Sequence, residues 1–258
     1  MADPTSDPAA ITRADSPESA RPAADRVANT SADPTEPVQG GTWDGAAPAA
    51  GHRPADRRRI TPARSRVAGV SILLASASPR RRELLGRLAV VPILRRPDVD
   101  ESALPGEEPE TQAARLARAK IDQTRARDGD LIIAADTLVV LDGTVLGKPR
   151  DAAHAAGMLG ALSGRQHEVL TGLALQRSGT MDVIVERTEV TFRALTTAEI
   201  TWYVRTGEPL DKAGAYGLQG AGAALVAGLV GSDTNVIGLP LAALVTRAAL
   251  LDVHFLGG

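Results

Sequence analysis

The chain contains no cysteine. That excludes disulfides, thiolate metal sites and a cysteine nucleophile, and it fits a reducing cytoplasm. Aromatic residues make up only 2% of it, so any core must be built from Ala, Val, Leu and Ile. No charge of one sign predominates. The formal net charge is −2 with 23% charged residues, which implies no global attraction to nucleic acid or to an anionic membrane. Stable nucleic-acid binding is not expected, and an anionic ligand must be held by a local basic cluster. No apolar run approaches the roughly 18 residues of a membrane span, and the first thirty residues lack the apolar stretch of a signal peptide. A P-loop, an H-E-x-x-H pair and a G-x-S-x-G elbow are all missing, and the glycines near Gly220 do not complete G-x-G-x-x-G.

What is present divides near Val67. Residues 1–66 mix Ala, Pro, Asp, Arg, Thr and Ser with a single aromatic, Trp43, and no hydrophobic period persists. Such a segment cannot bury enough apolar surface to offset its ordering entropy, so a disordered extension is expected there. Its run Arg57-Arg58-Arg59 is read as a solvated tail in preference to a nucleic-acid contact. Translation starting near Val67 or Val70 is a further reading of the same segment. Residues 67–258 are expected to form one domain, since apolar residues are 43% of the chain.

From Ser71 the pattern alternates. Ile72 to Ala75 predicts a buried strand, and Ser78-Pro79 an N-cap with proline at the first helical position, opening a helix through Leu88. A short strand is expected over Val91 to Leu94 and a helix over Thr111 to Ala126. A β-branched strand over Leu131 to Val140 leads through the tight turn Asp142-Gly143 into a return strand. Ala152 to Leu162 is expected to be helical and to stop at Gly164. Two antiparallel strands, Val169 to Leu175 and Val183 to Phe192, flank Ser178-Gly179. Thr196 with Glu199 predicts a capping box for a helix up to Arg205. A strand over Ala223 to Val230 and a helix over Leu241 to Leu251 close the chain. Hairpins and crossovers together argue for a mixed-sheet α/β domain.

Three constellations could carry chemistry. Ser76, Ser78, Arg80 and Arg81 cluster at the junction of the first strand and first helix. Free N–H groups, hydroxyls and guanidinium forks suit a phosphate there; an ordinary Ser-Pro helix start with solvated arginines is the plainer alternative. Asp136-Thr137 sits in an apolar strand, where a carboxylate is costly unless paired or bound to a metal; a strand-end cap is the alternative. Lys148, after the hairpin, is placed to point back toward the same cleft or to serve as a turn residue. The glycine-rich run from Asp211 to Gly220 lets backbone approach a ligand, with Tyr216 for stacking and Gln219 for amide hydrogen bonds; a flexible loop is the alternative. The histidines, His52, His154, His167 and His254, are scattered and are read as surface or structural.

Taken in order, the segments Leu74–Leu85 (LASASPRRRELL), Arg115–Lys120 (RLARAK), Ala135-Asp136-Thr137, Leu146–Pro149 (LGKP), Leu162–Arg165 with His167, and Asp211–Gly220 (DKAGAYGLQG) resemble the Maf family of nucleoside triphosphate pyrophosphatases. The resemblance runs from about Ser71 to Leu251 and leaves the extension without a counterpart. It implies an α/β fold shared with inosine triphosphate pyrophosphatases, with a cleft between two lobes, a divalent cation (Mg2+ or Mn2+) and a homodimer in the cytoplasm. By that resemblance Asp136 is the proton acceptor, and Ser76, Ser78, Arg81, Lys120 and Lys148 line the phosphate site. Arg80, Thr137 and Gln219 stand where base preference is set, in the combination of the branch acting on dTTP and UTP. Asp136 and Glu101 are the expected metal ligands. Family members are also named for inhibition of septum formation, so a regulator docking through the tail is the rival reading. The stretch Gly228 to Asn235 departs somewhat from common family sequences.

Overall fold

The computed structural model describes residues 65–256. The extension expected over 1–66, with Trp43, His52 and the arginine run, falls outside the described residues except for Ser65 and Arg66. Arg66 already belongs to a strand, β1 (Arg66–Val67), which turns back onto the start of β2 (Val70–Ala75). Among the described residues, Arg66 is thus paired into the sheet.

β2 is followed by α1 (Pro79–Arg87), β3 (Ile93–Arg95), α2 (Pro109–Asp122), β4 (Leu131–Leu141) and β5 (Thr144–Leu146). Next come α3 (Ala152–Leu162), β6 (Gln166–Arg177), β7 (Thr180–Phe192) and α4 (Thr197–Arg205). Three 3-10 turns, Glu208–Asp211, Ala213–Ala215 and Ala221–Leu225, then lead to β8 (Val226–Val230), α5 (Asp233–Ile237) and α6 (Leu241–Ala249). The two hairpin turns expected from the sequence behave as their composition demands. Asp142 and Gly143 have φ of 49° and 75°, and Ser178 and Gly179 have 46° and 80°. These left-handed pairs match the twist of the strands they join. The capping box at α4 is complete, with the Thr196 side chain accepting from Glu199 N and the Glu199 carboxylate accepting from Thr196 N. α2 starts two residues earlier than expected, because Pro109 takes the first helical position and supplies the fixed φ that opens the helix.

The sheet is mixed, in the order β1-β2-β4-β6-β7-β8, with β3 beside β2 and β5 beside β4. β2 is parallel to both β3 and β4, whereas the long β4, β6 and β7 run antiparallel. The chain leaves β2 through α1 to reach β3 on one side, then returns through α2 to β4 on the other. That reversal is a topological switch point, and in open α/β sheets ligands bind beyond the carboxyl ends of such strands. Here the pairing of β2 stops opposite Ile133, and β5, running back along the same edge, ends opposite Val139. Between them the outer edge of β4 has no strand beside it, and the gap holds Asp136 and Thr137.

The two faces of β4 are covered separately. Ile133 and Ala135 pack with Ile72 and Leu74 against Leu84 and Leu85 of α1 and Leu244 and Ala248 of α6. Ile132 and Ala134 pack with Ala75 against Ala117 and Ile121 of α2. Because side chains alternate along a strand, Asp136 continues the α2 face and Thr137 the α1 face. At the far end of the long strands Val139, Leu141, Val169 and Phe192 form a further cluster with α3 and α4. No helix among the described residues is long and apolar enough to cross a membrane.

Candidate active site

The ten residues that the sequence singles out, Ser76, Ser78, Arg80, Arg81, Glu101, Lys120, Asp136, Thr137, Lys148 and Gln219, all line one cleft of about 730 Å³. They arrive from six places: the β2–α1 junction, the loop after β3, α2, the bare stretch of β4, the loop after β5 and the loop after α4.

At the helix start, Ser78 occupies the N-cap position, but its side chain makes no capping bond. Ser76 holds the cap residue in place. Its Oγ accepts from Ser78 N at 3.1 Å and from Arg81 Nη1 at 3.1 Å. Arg81 is buried and braces three elements, donating further to the carbonyl of Gly238 through Nε (2.8 Å) and to Thr137 Oγ1 through Nη2 (3.1 Å). A guanidinium has five N–H groups, so two remain for a ligand. Burial pushes the Arg81 pKa down, with Asp136 opposing and Arg80 adding to the effect.

On the α2 face, Lys120 stands between two carboxylates. Its Nζ is 2.5 Å from Asp136 Oδ1 and 2.8 Å from Glu101 Oε1. Lys120 and Asp136 are buried, whereas half of the Glu101 side chain is exposed. Burial pushes the Glu101 pKa up, but its hydrogen bond to Lys120 and the charges of Lys120, Lys148 and Arg81 outweigh that and leave it below the ordinary carboxylate value. Among the described residues no group of three His, Asp or Glu converges as a metal cage. The donor set fits instead an ion such as Mg2+, which is commonly held by one or two carboxylates and completed by substrate phosphates and water.

The opposite wall carries Arg80, whose Nη1 donates to Asp211 Oδ2 at 3.1 Å, and Gln219, whose Nε2 donates to Glu83 Oε2 at 3.3 Å. The glycine-rich run lines the cleft with Gly217, Leu218 and Gln219. Its backbone closes on the carboxylate of Glu208, which accepts from Tyr203 Oη, Ala221 N and Gly222 N. A Cβ at Gly220 would lie 2.4 Å from Glu208 Oε2, and one at Gly222 would lie 2.5 Å from the carbonyl of Gly217. The stacking expected of Tyr216 is not what its ring does. It packs edge-on against Phe192 and His167, with its hydroxyl 2.8 Å from His167 Nε2. The ring anchors the loop from beneath because an aromatic-poor core uses it there.

His167 is therefore structural, as expected, and it has a consequence for pH. Its Nδ1 has no partner, and burial lowers its pKa to about 4. The unfolded chain binds a proton at this site near pH 6.5 and the folded one does not until about pH 4. Stability from the neutral ring is therefore complete above pH 6.5 and is lost as pH falls toward 4, about 2 kcal/mol being gone by pH 5. Urea unfolding at pH 7 and pH 5 should show a smaller drop for His167→Gln than for the parent; equal drops would place the pH sensitivity elsewhere.

Four contributors escape the sequence. Glu208 looks like any surface acid. Gly172, Thr171 and Asn235 act through register and tertiary contact alone: Gly172 pairs with Asp136 and Thr171 with Thr137 across β4 and β6. α5, which carries Asn235, is too short for a periodic pattern; its only local mark is Ser232, whose side chain accepts from Asn235 N.

The profile of the Maf-like protein family matches residues 71–250. A protein of Anaeromyxobacter dehalogenans (strain 2CP-C) called dTTP/UTP pyrophosphatase is 55% identical over 185 residues, covering 70% of this chain and 92% of that protein. Proteins with the same name are 51% identical in Myxococcus xanthus (strain DK1622), covering 69% and 93%, and 47% identical in Halalkalibacterium halodurans, covering 71% and 95%. With the family profile spanning most of the chain and relatives matched over nearly their whole length, the chain belongs to the Maf family.

Proposed function

We propose that this chain hydrolyses dTTP and UTP to the nucleoside monophosphate and pyrophosphate, with Asp136 as the proton acceptor. The observation that carries the reading is the Asp136–Lys120–Glu101 arrangement on the bare edge of β4, facing Lys148, Arg80 and Arg81 in one cleft. Relatives matched over nearly their whole length bear the corresponding name.

Water attacks the α-phosphorus and pyrophosphate leaves. Lys120 holds Asp136 by Oδ1, which leaves Oδ2 to take the proton from the attacking water, a role worth about 10²–10⁴-fold in rate. Ser76, Ser78, the two spare N–H groups of Arg81, Lys148 and Lys120 meet the phosphate oxygens, and preorganised donors of this kind stabilise charge as it develops. Asp136 and Glu101 would hold Mg2+ or Mn2+, which when bound neutralises phosphate charge and polarises an oxygen. Arg80, Thr137 and Gln219 contact the base. Arg80 is a donor only and suits the carbonyl oxygens of thymine and uracil. The homodimer and the cytoplasmic location are taken over from the family resemblance.

The test is pyrophosphate release from dTTP, UTP, dCTP, ATP, GTP and 7-methyl-GTP, with and without Mg2+ or Mn2+. Metal-dependent release favouring dTTP and UTP is expected. A different favoured base would remove the roles of Arg80, Thr137 and Gln219, and no release by the folded, metal-supplied protein would overturn the reaction itself.

A further inference from the structure

The neighbours of Thr137 decide which half of its hydroxyl a ligand meets. A threonine hydroxyl has one hydrogen and two lone pairs. Arg81 Nη2 donates to Thr137 Oγ1, taking one lone pair. The hydroxyls of Thr137 and Thr171 are 3.0 Å apart, and either could donate on distance alone. Thr171 resolves the choice, because its Oγ1 lies 3.2 Å from the backbone carbonyl of Asn235. A carbonyl only accepts, so the single hydrogen of Thr171 points to Asn235. The hydrogen between the two threonines is then that of Thr137. Towards the cleft Thr137 keeps one lone pair and no hydrogen.

Each partner that fixes this polarity is itself fixed. Thr171 is fully buried on β6, directly across from Thr137. Asn235 is fully buried, and its Nδ2 shares its two hydrogens among the carbonyls of Val169 (3.0 Å) and Glu186 (3.2 Å) and Thr188 Oγ1 (2.9 Å). Those bonds tie α5 to β6 and β7, so the carbonyl that captures Thr171 cannot turn away.

We propose that Thr171 is a specificity-determining positioning residue, holding Thr137 as an obligate acceptor so that the cleft selects pyrimidines with a hydrogen on N3 and rejects cytosine. Thymine and uracil carry N3–H, whereas the N3 of cytosine is an acceptor. Two acceptors facing each other leave both unpaired, and a site whose polar groups are left unpaired discriminates strongly. The inference rests on the base-contact role proposed for Thr137.

The experiment compares kcat/KM for dCTP and dTTP in the full chain and in Thr171→Val, Thr171→Ser and Thr137→Val. Valine frees the Thr137 hydrogen to turn toward the ligand, so the dCTP-to-dTTP ratio should rise about tenfold or more, the value of one hydrogen bond. Serine restores both the donor and the acceptor, and should restore the parent ratio. Equal losses for both nucleotides in Thr171→Val would reduce Thr171 to packing and overturn the proposal. A ratio unchanged in Thr137→Val would remove Thr137 from base recognition altogether, whereas a change there without one in Thr171→Val would overturn the polarity argument alone. A check independent of any variant's folding uses the parent protein with N3-methyl-dUTP, which should be turned over as poorly as dCTP. Turnover matching dTTP would contradict the acceptor-only cleft.

Discussion

Asp136→Asn is expected to leave a folded protein whose kcat falls by about 10²–10⁴-fold. Asparagine is nearly the same shape, so the strand, the Gly172 partner and the packing around Ala134 and Leu138 have no reason to change. Its amide oxygen can still accept from Lys120, which keeps the ammonium at the site. What disappears is the basic oxygen facing the water and one of the two carboxylates that would hold a divalent cation. The expected split is a large fall in kcat with a modest change in KM, because Ser76, Arg81 and Lys148 still meet the phosphates. The measurement is steady-state pyrophosphate release, beside a thermal melt that shows the variant folded. Near-parent turnover would remove Asp136 from the mechanism. Loss of both the melt and the turnover would show that the buried Lys120–Asp136 pair is structural first, as breaking a buried ion pair can be.

The local chemistry of this chain was legible because it is carried by neighbours in sequence. Asp142-Gly143 and Ser178-Gly179 announce their turns through positive φ, and Thr196 with Glu199 announces its cap. Nine apolar residues around Asp136-Thr137 in β4 made a buried carboxylate visible as a cost needing a partner. The partner itself was legible only through the family resemblance, since Lys120 lies on a helix whose face toward the sheet depends on α2 crossing β4 and β6. The glycine-rich run shows how far such reading reaches. Closely spaced glycines do signal a close approach of backbone, but composition does not disclose that Glu208 holds the run while Gly217 to Gln219 line the cleft. Thr171 and Asn235 carry no local signal at all. Their effect comes from register across β6 and from tertiary bonds of α5, and one sequence does not encode register in any run short enough to read.

Gly172→Ala should show how far the site depends on that register. A Cβ built on Gly172 would lie 2.1 Å from the backbone oxygen of Ala113 and 2.4 Å from its carbon. Ordinary contact needs more than an ångström beyond that, and the obstacle is helix backbone, which cannot rotate aside as a side chain would. Either α2 lifts from the sheet or β6 bends away from it. Overpacking of this kind costs about 1–3 kcal/mol, a fall in Tm on the order of 5 °C for a domain of this size. The same displacement moves Lys120, which rides on the sheet-facing side of α2, away from Asp136 on the strand paired with Gly172. A misplacement of about 1 Å can cost on the order of 10²-fold in rate, so kcat should fall with Tm. Ala113→Gly should not rescue the double variant, because the clash is with the carbonyl and not with the alanine methyl. A normal Tm would deny the close seat of α2, while a lowered Tm with full turnover would mean that Lys120 reaches Asp136 through the freedom of its own side chain, independently of where the helix lies.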